Sequence, residues 1–585
     1  MRRFFVGFFA TIGVLCLVLL IGAVAAGFWV ADGFRTPDPL PKRMVLQLDF
    51  GGPIDESPLL PELAGLLNED APLSMIDYVD ALDRAAADDR VTGLFADLSN
   101  LSLGLAQAQE LRAAVFRFRS AGKTAIAFAD SFESGENGPY YLASAFDRIW
   151  LQPSGLLGLT GLQLEFPYAA GLLDKLGLRA EFEQRYEYKG AAGAVTEDHM
   201  PRPVRENMTR VAESLFGQVI SGIATARRLG GGSVQAVIDR GPLLAAESVT
   251  NGLVDSLGYR EQARAMLEGE SVGVGRYLDG AGRPYESGTR IALVHLDGAI
   301  VRGDSQGLLD RDNAASGPIV AALDDVRTDP DVKALILRVS SPGGSYVASD
   351  TIRHAVERVR ESGRPVIVSF ADVAASGGYF AALSADHIIA HPGTLTGSIG
   401  TLGGKISAEQ LLREWDVNIG RISIGANAGM FSPTEPFTDG QRDRLRRLLD
   451  AVYADFTARV AAARRLSSDE IDALARGRVW TGEDARRVGL VDAVGGYAEA
   501  MQLARNAAGI APDAPVERIR FPQEEEPWER LIELVRDRDI MASIHLIAGL
   551  ARHAHILGER LDAAGVYLSG AGGRIQTRAP GLVIQ

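Results

Sequence analysis

The chain has 585 residues, of which 46% are hydrophobic and 23% charged, enough apolar content for a buried core and therefore not a disordered chain. Its 65 glycines lack the every-third-residue spacing of collagen, and acidic residues outnumber basic ones 75 to 60. The resulting net charge of −15 argues against a nucleic-acid-binding protein, which needs clustered Lys and Arg to displace phosphate counterions. The single cysteine, Cys16, excludes an intrachain disulfide, a CxxC zinc site and thioredoxin-like chemistry. Length alone suggests roughly four domains.

In chain order, the first element follows Arg2 and Arg3. The run from Phe4 to Ala31 carries no charge over 28 residues. As a helix it would reach about 42 Å, enough to cross a bilayer with tilt. Ala23-Val24-Ala25 offers a cleavage site, but a secretory signal has an apolar core of only about 7–15 residues. The expectation is one uncleaved N-terminal transmembrane helix over 1–33. Arg2 and Arg3 put its N-terminus in the cytoplasm and the rest of the chain outside.

Beyond that run, one pattern is written twice. Tyr140 to Gly161 reads YYLASAFDRIWLQPSGLLGLTG, and Tyr379 to Gly400 reads YFAALSADHIIAHPGTLTGSIG, each matched pair 239 positions apart. Further on, Ala226-Arg-Arg-Leu229 recurs as Ala463-Arg-Arg-Leu466, and GLVDSLG at Gly252 recurs as GLVDAVG at Gly489, both 237 apart. So constant an offset marks a tandem duplication. The first repeat, 43–276, opens on the apolar run Met44–Leu48. Buried strands are expected at Val91–Leu98 and Thr124–Phe128, and a long helix at Arg205–Leu229. A polar linker, YLDGAGRPYESG at 277–288, leads to the second repeat, 289–510. Its apolar runs are Ile291–Leu296, Val332–Val339 and Pro365–Phe370, with a long helix at Gly440–Leu466. Continuous aliphatic strands alternating with helices predict an α/β fold with parallel sheets covered on both faces. A tail, 511–585, lies outside the repeat and contains an amphipathic helical pattern over Trp528–Leu561.

The copies disagree where chemistry is expected. In the second, strand Pro365–Phe370 runs into Ala375-Ser376-Gly377-Gly378-Tyr379, a pattern suited to a sharp strand-to-helix turn that exposes a serine Oγ. The first has Asn137-Gly-Pro-Tyr140 there, with no nucleophile. Strand Val332–Val339 ends in Ser341-Pro342-Gly343-Gly344, whose backbone N–H groups could converge as an oxyanion hole; the first copy has lost this element too. His387 and His391, the histidines nearest Ser376 in sequence, sit in the repeated strand segment and read as structural or surface residues. The alternative base is a lysine made neutral by desolvation. Lys189, in Arg185-Tyr-Glu-Tyr-Lys189-Gly190, fits that role. Asn427-Ala428-Gly429 stands at the matching place in the second copy. A lone lysine is ordinarily a surface charge; the reciprocal loss of lysine and serine is what singles this one out.

Together, Tyr188-Lys189-Gly190-Ala191, Ser341-Pro-Gly-Gly344, Ala375-Ser376-Gly-Gly-Tyr379, Gly397-Ser398-Ile-Gly400 and Gly489-Leu-Val-Asp492 resemble the signal peptide peptidase A family in its long, duplicated form, a family of membrane-anchored bacterial serine proteases. The resemblance implies a Clp-protease/crotonase-like fold in each half and a Ser/Lys dyad, with Ser376 as nucleophile and Lys189 as general base. It further implies that Ser398 orients the lysine and that Gly344, with Gly343 and Gly377, forms the oxyanion hole. It also implies a homo-oligomer, a tetramer favoured, at the bacterial cytoplasmic (inner) membrane with its catalytic region on the periplasmic side. The substrates would be cleaved signal peptides and similar apolar peptides, with no cofactor, metal or nucleic acid. Gly190 departs from the serine that the family often carries there. Two other readings stay open: a crotonase-type acyl-transfer enzyme, which would not need Ser376, and a membrane scaffold with decayed chemistry.

Overall fold

The computed structural model describes residues 39–57, 72–132, 137–304 and 313–522, together with the backbone of 583–584. The expected anchor at 1–33 and the amphipathic segment Trp528–Leu561 lie outside the described residues. Among those described, no helix is long and apolar enough to cross a membrane.

The first half builds β1 (Met44–Asp49), β2 (Val91–Asp97), β3 (Thr124–Ala129) and β4 (Arg148–Leu151), all parallel neighbours. The chain then leaves the sheet for β5 (Arg179–Arg185) and returns for β6 (Ser256–Leu257) and β7 (Glu270–Gly273). The second half supplies β8 (Thr289–Asp297), β9 (Val332–Ser341), β10 (Val366–Ala375), β11 (His387–Ala390), β12 (Leu395–Gly397), β13 (Thr401–Ser407), β14 (Val479–Thr481), β15 (Ala493–Val494) and β16 (Val516–Phe521). The first sheet runs β7-β1-β2-β3-β4-β6, and the second repeats it strand for strand as β16-β8-β9-β10-β11-β15. In the second, β12 also pairs with the far end of β10, and β14 lies antiparallel to β12. This is an α/β architecture with two parallel sheets.

The repeated motifs are strand fastenings. Tyr140 donates its hydroxyl to the carbonyl of Leu253 at 2.7 Å, as Tyr379 does to Leu490 at 2.7 Å. Asp147 accepts the Ala125 N–H and Asp386 the Val366 N–H, at 2.9 and 2.8 Å. Asp255 and Asp492 take the N–H groups of Ile149 and Ile388, both at 2.7 Å. The paired long helices are Arg202–Arg227 and Asp439–Arg464, each stopped by an arginine in the left-handed region, Arg228 and Arg465.

Two features differ from the sequence reading. The linker 277–288 is partly helical: Val274–Ala281 forms a helix because Tyr277 and Leu278 bury their side chains in the first half's core. Beyond residue 510, β16 pairs with β8 as β7 pairs with β1, so each half closes on a strand beside its own first strand. Those two edge strands, ESVG and VERIRF, share no residue pattern that would reveal the equivalence.

The halves share one core. Ile291, Leu293, Ala334, Ile336, Ile367 and Ile389 alternate onto the face of the second sheet that packs against the first half, while Ala292, Val294, Leu335, Leu337 and Val368 take the other face. Arg338 crosses this junction at 1% exposure. It donates to Glu56 at 2.9 Å and Glu110 at 2.5 Å in the first half, and to Ser369 at 2.9 Å in its own. Asp372 of β10 accepts the N–H groups of Ala106 (2.8 Å) and Gln107 (3.2 Å) at the start of the first-half helix Leu105–Ser120. Burial, then the charge of Glu56, push the Asp372 carboxyl up to about 6.

Removing one member of a buried ion network leaves the others charged and unpaired. Arg338→Ala is therefore expected to lower stability by about 3–5 kcal/mol, read as an earlier first transition in urea unfolding followed by circular dichroism.

Candidate active site

Strand β10 ends at Ala375 and the helix Gly377–Ala382 begins two residues later, so the chain turns on Ser376 alone. Its φ of +52° and ψ of −115° lie where a side chain is strained. The turn is held from both sides: Ser376 donates its N–H to the Gly397 carbonyl at 2.8 Å, and its own carbonyl accepts from the Phe380 N–H at 2.9 Å. The following glycine is required by space. A Cβ on Gly377 would sit 2.4 Å from Ser349 Oγ and 3.0 Å from the Gly344 nitrogen.

The end of β9 comes to the same place. Gly343 has a φ of +98°, and a Cβ there would lie 2.5 Å from the Gly377 nitrogen. Ile300 grips the turn, donating to the Gly343 carbonyl and accepting from Ser345 N–H, each at 2.8 Å. The three candidate donors are not equivalent. Gly343 gives its N–H to Ser341 Oγ at 3.2 Å. The N–H groups of Gly344 and Gly377 make no hydrogen bond among the described residues and lie side by side next to Ser376. Two backbone donors, not three, are thus free to meet an oxyanion.

Lys189 arrives from the other half. β5 pairs antiparallel with β13, Arg179 opposite Ser407 through Arg185 opposite Thr401. That register delivers Lys189 four residues later, 6% exposed, with Nζ 3.0 Å from Ser376 Oγ. The same Nζ lies 2.9 Å from both the hydroxyl and the carbonyl of Ser398. Burial depresses the lysine to about 8. Among the described residues no carboxylate hydrogen-bonds Nζ to counter the desolvation. Lys189, Ser376 and Ser398 therefore meet within one chain. Neither His387 nor His391 bonds to Ser376; His387 is exposed, and His391 is buried with Nε2 3.5 Å from Glu110. In the first half, Asn137 fills the serine's place and donates its amide to Gly161 at 2.7 Å.

A further element, unread in the sequence, locks the lysine in place. Residues 476–478 run between the two arms: Tyr188 N–H donates to Arg476 at 3.2 Å, Gly477 N–H to Ile399 at 2.8 Å, and Ser398 N–H to Arg478 at 2.7 Å. Arg478 stacks on the Tyr188 ring, 3.6 Å from its centroid. Gly477 has a φ of +88°, and a Cβ there would lie 2.4 Å from the Lys189 nitrogen. The only trace in the sequence is a glycine between two arginines ahead of β14.

Gly477→Ala is expected to displace the Lys189 backbone and cut the rate of Ser376 labelling by a fluorophosphonate about 100-fold. Time-resolved mass spectrometry of the Ser376 adduct measures it.

Comparison with known proteins places these features. The pattern of peptidase family S49 matches residues 117–274 and 358–511. Protease 4 of Salmonella typhi is 31% identical over 516 residues, covering 83% of this chain and 82% of that protein. The chloroplastic serine protease SPPA of Arabidopsis thaliana is 28% identical over 455 residues, covering 75% of this chain and 66% of its own. Among solved structures, a ClpP1 mutant from Listeria monocytogenes aligns over 36% of this chain and 95% of that one, at 14% identity and a TM-score of 0.25.

Proposed function

The chain belongs to peptidase family S49 and is a serine protease, and from that premise we propose that Ser376 and Lys189 are its catalytic dyad. The observation that carries this reading is the 3.0 Å approach of a buried lysine, its ammonium form disfavoured by desolvation, to a serine held on a strained turn. A neutral amine has two N–H groups and one lone pair. With Ser398 Oγ and the Ser398 carbonyl taking the two N–H groups, the lone pair is left for the Ser376 proton. Ser398 is therefore a positioning residue.

Acyl transfer is the resulting chemistry. Ser376 Oγ attacks the peptide carbonyl carbon as its proton passes to Lys189 Nζ. The carbonyl oxygen becomes an oxyanion that accepts from the N–H groups of Gly344 and Gly377. Gly343 shapes the turn that aims them. Collapse of the tetrahedral intermediate breaks the C–N bond, and the proton on Lys189 goes to the leaving amine. A water then gives its proton to Lys189 and attacks the acyl carbon, and as the C–O bond breaks that proton passes from Lys189 to Ser376 Oγ, which restores both groups.

We further propose that each half is a Clp-protease/crotonase-like unit, and that the chain works as a membrane-anchored homo-oligomer on the outer side of the cytoplasmic membrane. Its substrates are signal peptides left after preprotein processing, and similar apolar peptides. A desolvated lysine supports that preference, because an apolar chain entering the site keeps it dry while a charged one brings water.

Digestion of a synthetic signal peptide tests the reading. Ser376→Ala and Lys189→Ala should each lower kcat/KM by roughly 10³–10⁶-fold; retention of parental cleavage by either variant would sink the dyad. The pH dependence has a definite sign. The base must be unprotonated, so kcat/KM should rise with pH and level off above the lysine's value of about 8. An acid limb centred near an ordinary carboxylate or histidine value would point to a different base.

A further inference from the structure

The two backbone donors beside Ser376 are aimed by different means. In a trans peptide unit the carbonyl and the N–H point in opposite directions, so whatever holds one end directs the other. The Gly377 N–H shares its unit with the Ser376 carbonyl, which the Phe380 N–H holds at 2.9 Å inside the helix that follows. The Gly344 N–H shares its unit with the Gly343 carbonyl. That carbonyl is held from a separate segment, by the Ile300 N–H at 2.8 Å.

Ile300 lies on the short strand Ala299–Val301, parallel to Asn313–Ala315, and is 1% exposed. Its own carbonyl takes the Ser345 N–H at 2.8 Å, so one residue grips both sides of Gly344. The grip leaves no room for a side chain: a Cβ on Gly344 would lie 2.1 Å from the Ile300 oxygen. The preceding peptide unit is fixed as well. Gly343 gives its N–H to Ser341 Oγ at 3.2 Å, and Ser341 is fully buried. The Ser341 carbonyl oxygen and Cβ stand 2.9 and 3.2 Å from where a Cβ on Gly378 would be. Ser341 thus touches the turn that carries one donor and the helix that begins with the other.

The duplication supplies an internal comparison. In the first half Pro53 bridges Ser102 as Ile300 bridges Gly344. Proline has no N–H. The half with asparagine in place of the nucleophile therefore also lacks the donor that would hold this turn.

We propose that Ile300 and Ser341 are positioning residues for the oxyanion hole. The Ile300 N–H aims the Gly344 N–H at the developing charge, and the Ser341 hydroxyl keeps the preceding peptide unit from turning. Without that hydroxyl the Gly343 N–H is a buried donor that has lost its partner. The Pro342–Gly343 unit then gains by rotating, a glycine at a φ of +98° offers little resistance, and the Gly344 N–H swings off line with it. The loss falls on the transition state, where the oxyanion exists, and not on the bound peptide. The proposal rests on Ser376 as the nucleophile.

Kinetics with a synthetic signal peptide, and inhibition by a matched peptide aldehyde and peptide alcohol, test it on the full chain in detergent. Addition of Ser376 Oγ to the aldehyde carbon gives a hemiacetal whose oxygen occupies the hole, so the aldehyde reports the donors. The alcohol reports binding alone. Ser341→Ala should lower kcat and weaken the aldehyde about tenfold each, with the alcohol within about twofold of the parent. Ile300→Pro, which copies the first half, should lose roughly 100-fold in both, while Ile300→Ala, which keeps the N–H, should stay within about threefold. Parental aldehyde affinity in Ser341→Ala overturns the proposal. So does equal loss in Ile300→Pro and Ile300→Ala, which would assign the effect to the isoleucine side chain. Parallel loss of aldehyde and alcohol affinity overturns it too, as the mark of a general disturbance of the cleft. Should Ile300→Pro fail to fold, Ser341→Ala decides alone. Cleavage that survives Ser376→Ala is a separate failure, which sinks the dyad and this proposal with it.

Discussion

Seven residues of β5 laid against seven of β13 hold the site together, because the two groups that meet there, Lys189 and Ser376, are supplied by different halves of the chain. The pairing is pinned by charge as well as by the backbone ladder. Glu181, buried on β5, takes the Phe437 N–H at 2.9 Å and the Arg442 guanidinium at 2.7 Å, and Glu183 binds Arg442 and Arg446 at 2.9 and 3.0 Å. A slip of one residue would reverse which face each side chain takes. It would break these ion pairs and move Lys189 off Ser376 together, so the glutamates and arginines set the register of the dyad from a distance.

What surrounds the lysine matters as much as where it sits. Burial penalises the ammonium form, and only a carboxylate or several strong acceptors could restore it. Among the described residues, the three oxygens that hydrogen-bond Nζ are two hydroxyls and one carbonyl, all neutral. The acidic groups of the junction, Glu56, Glu110 and Asp372, are instead tied to Arg338 or to a helix N-terminus. The fold thus keeps the carboxylates of its charge-rich joint away from the lysine, although Asp372 and Ser376 lie only four residues apart.

Much of this was legible in the residues. The duplication showed in a constant offset, and the reciprocal loss of serine and lysine singled out Ser376 and Lys189, which the structure brings within 3.0 Å of each other. Ser398 was different: nothing local marks it, and only the family resemblance gave it a role. Gly343 and Gly344 read as an equal pair, and the distinction between them depends on Ser341 capturing one N–H, which no motif spells. Gly477 escaped because its requirement comes from the Lys189 backbone nearly three hundred residues away. A close approach between distant segments leaves no periodicity behind. The edge strands β7 and β16 escaped for a related reason: their equivalence lies in which neighbour they pair with, and the backbone can make that pairing with almost any residues.

The position of the lysine also has a meaning in time. A ribosome delivers Lys189 long before Ser376, and the 476–478 segment that clamps the lysine comes last of the three. On the proposed dyad, the emerging chain has a base without a nucleophile through most of synthesis, and then a nucleophile whose base is not yet fixed. Proteolytic competence would then arrive only when both halves have folded and docked. A chain that stalls or misfolds in either half would lack part of that machinery, so the duplication itself would time the onset of activity.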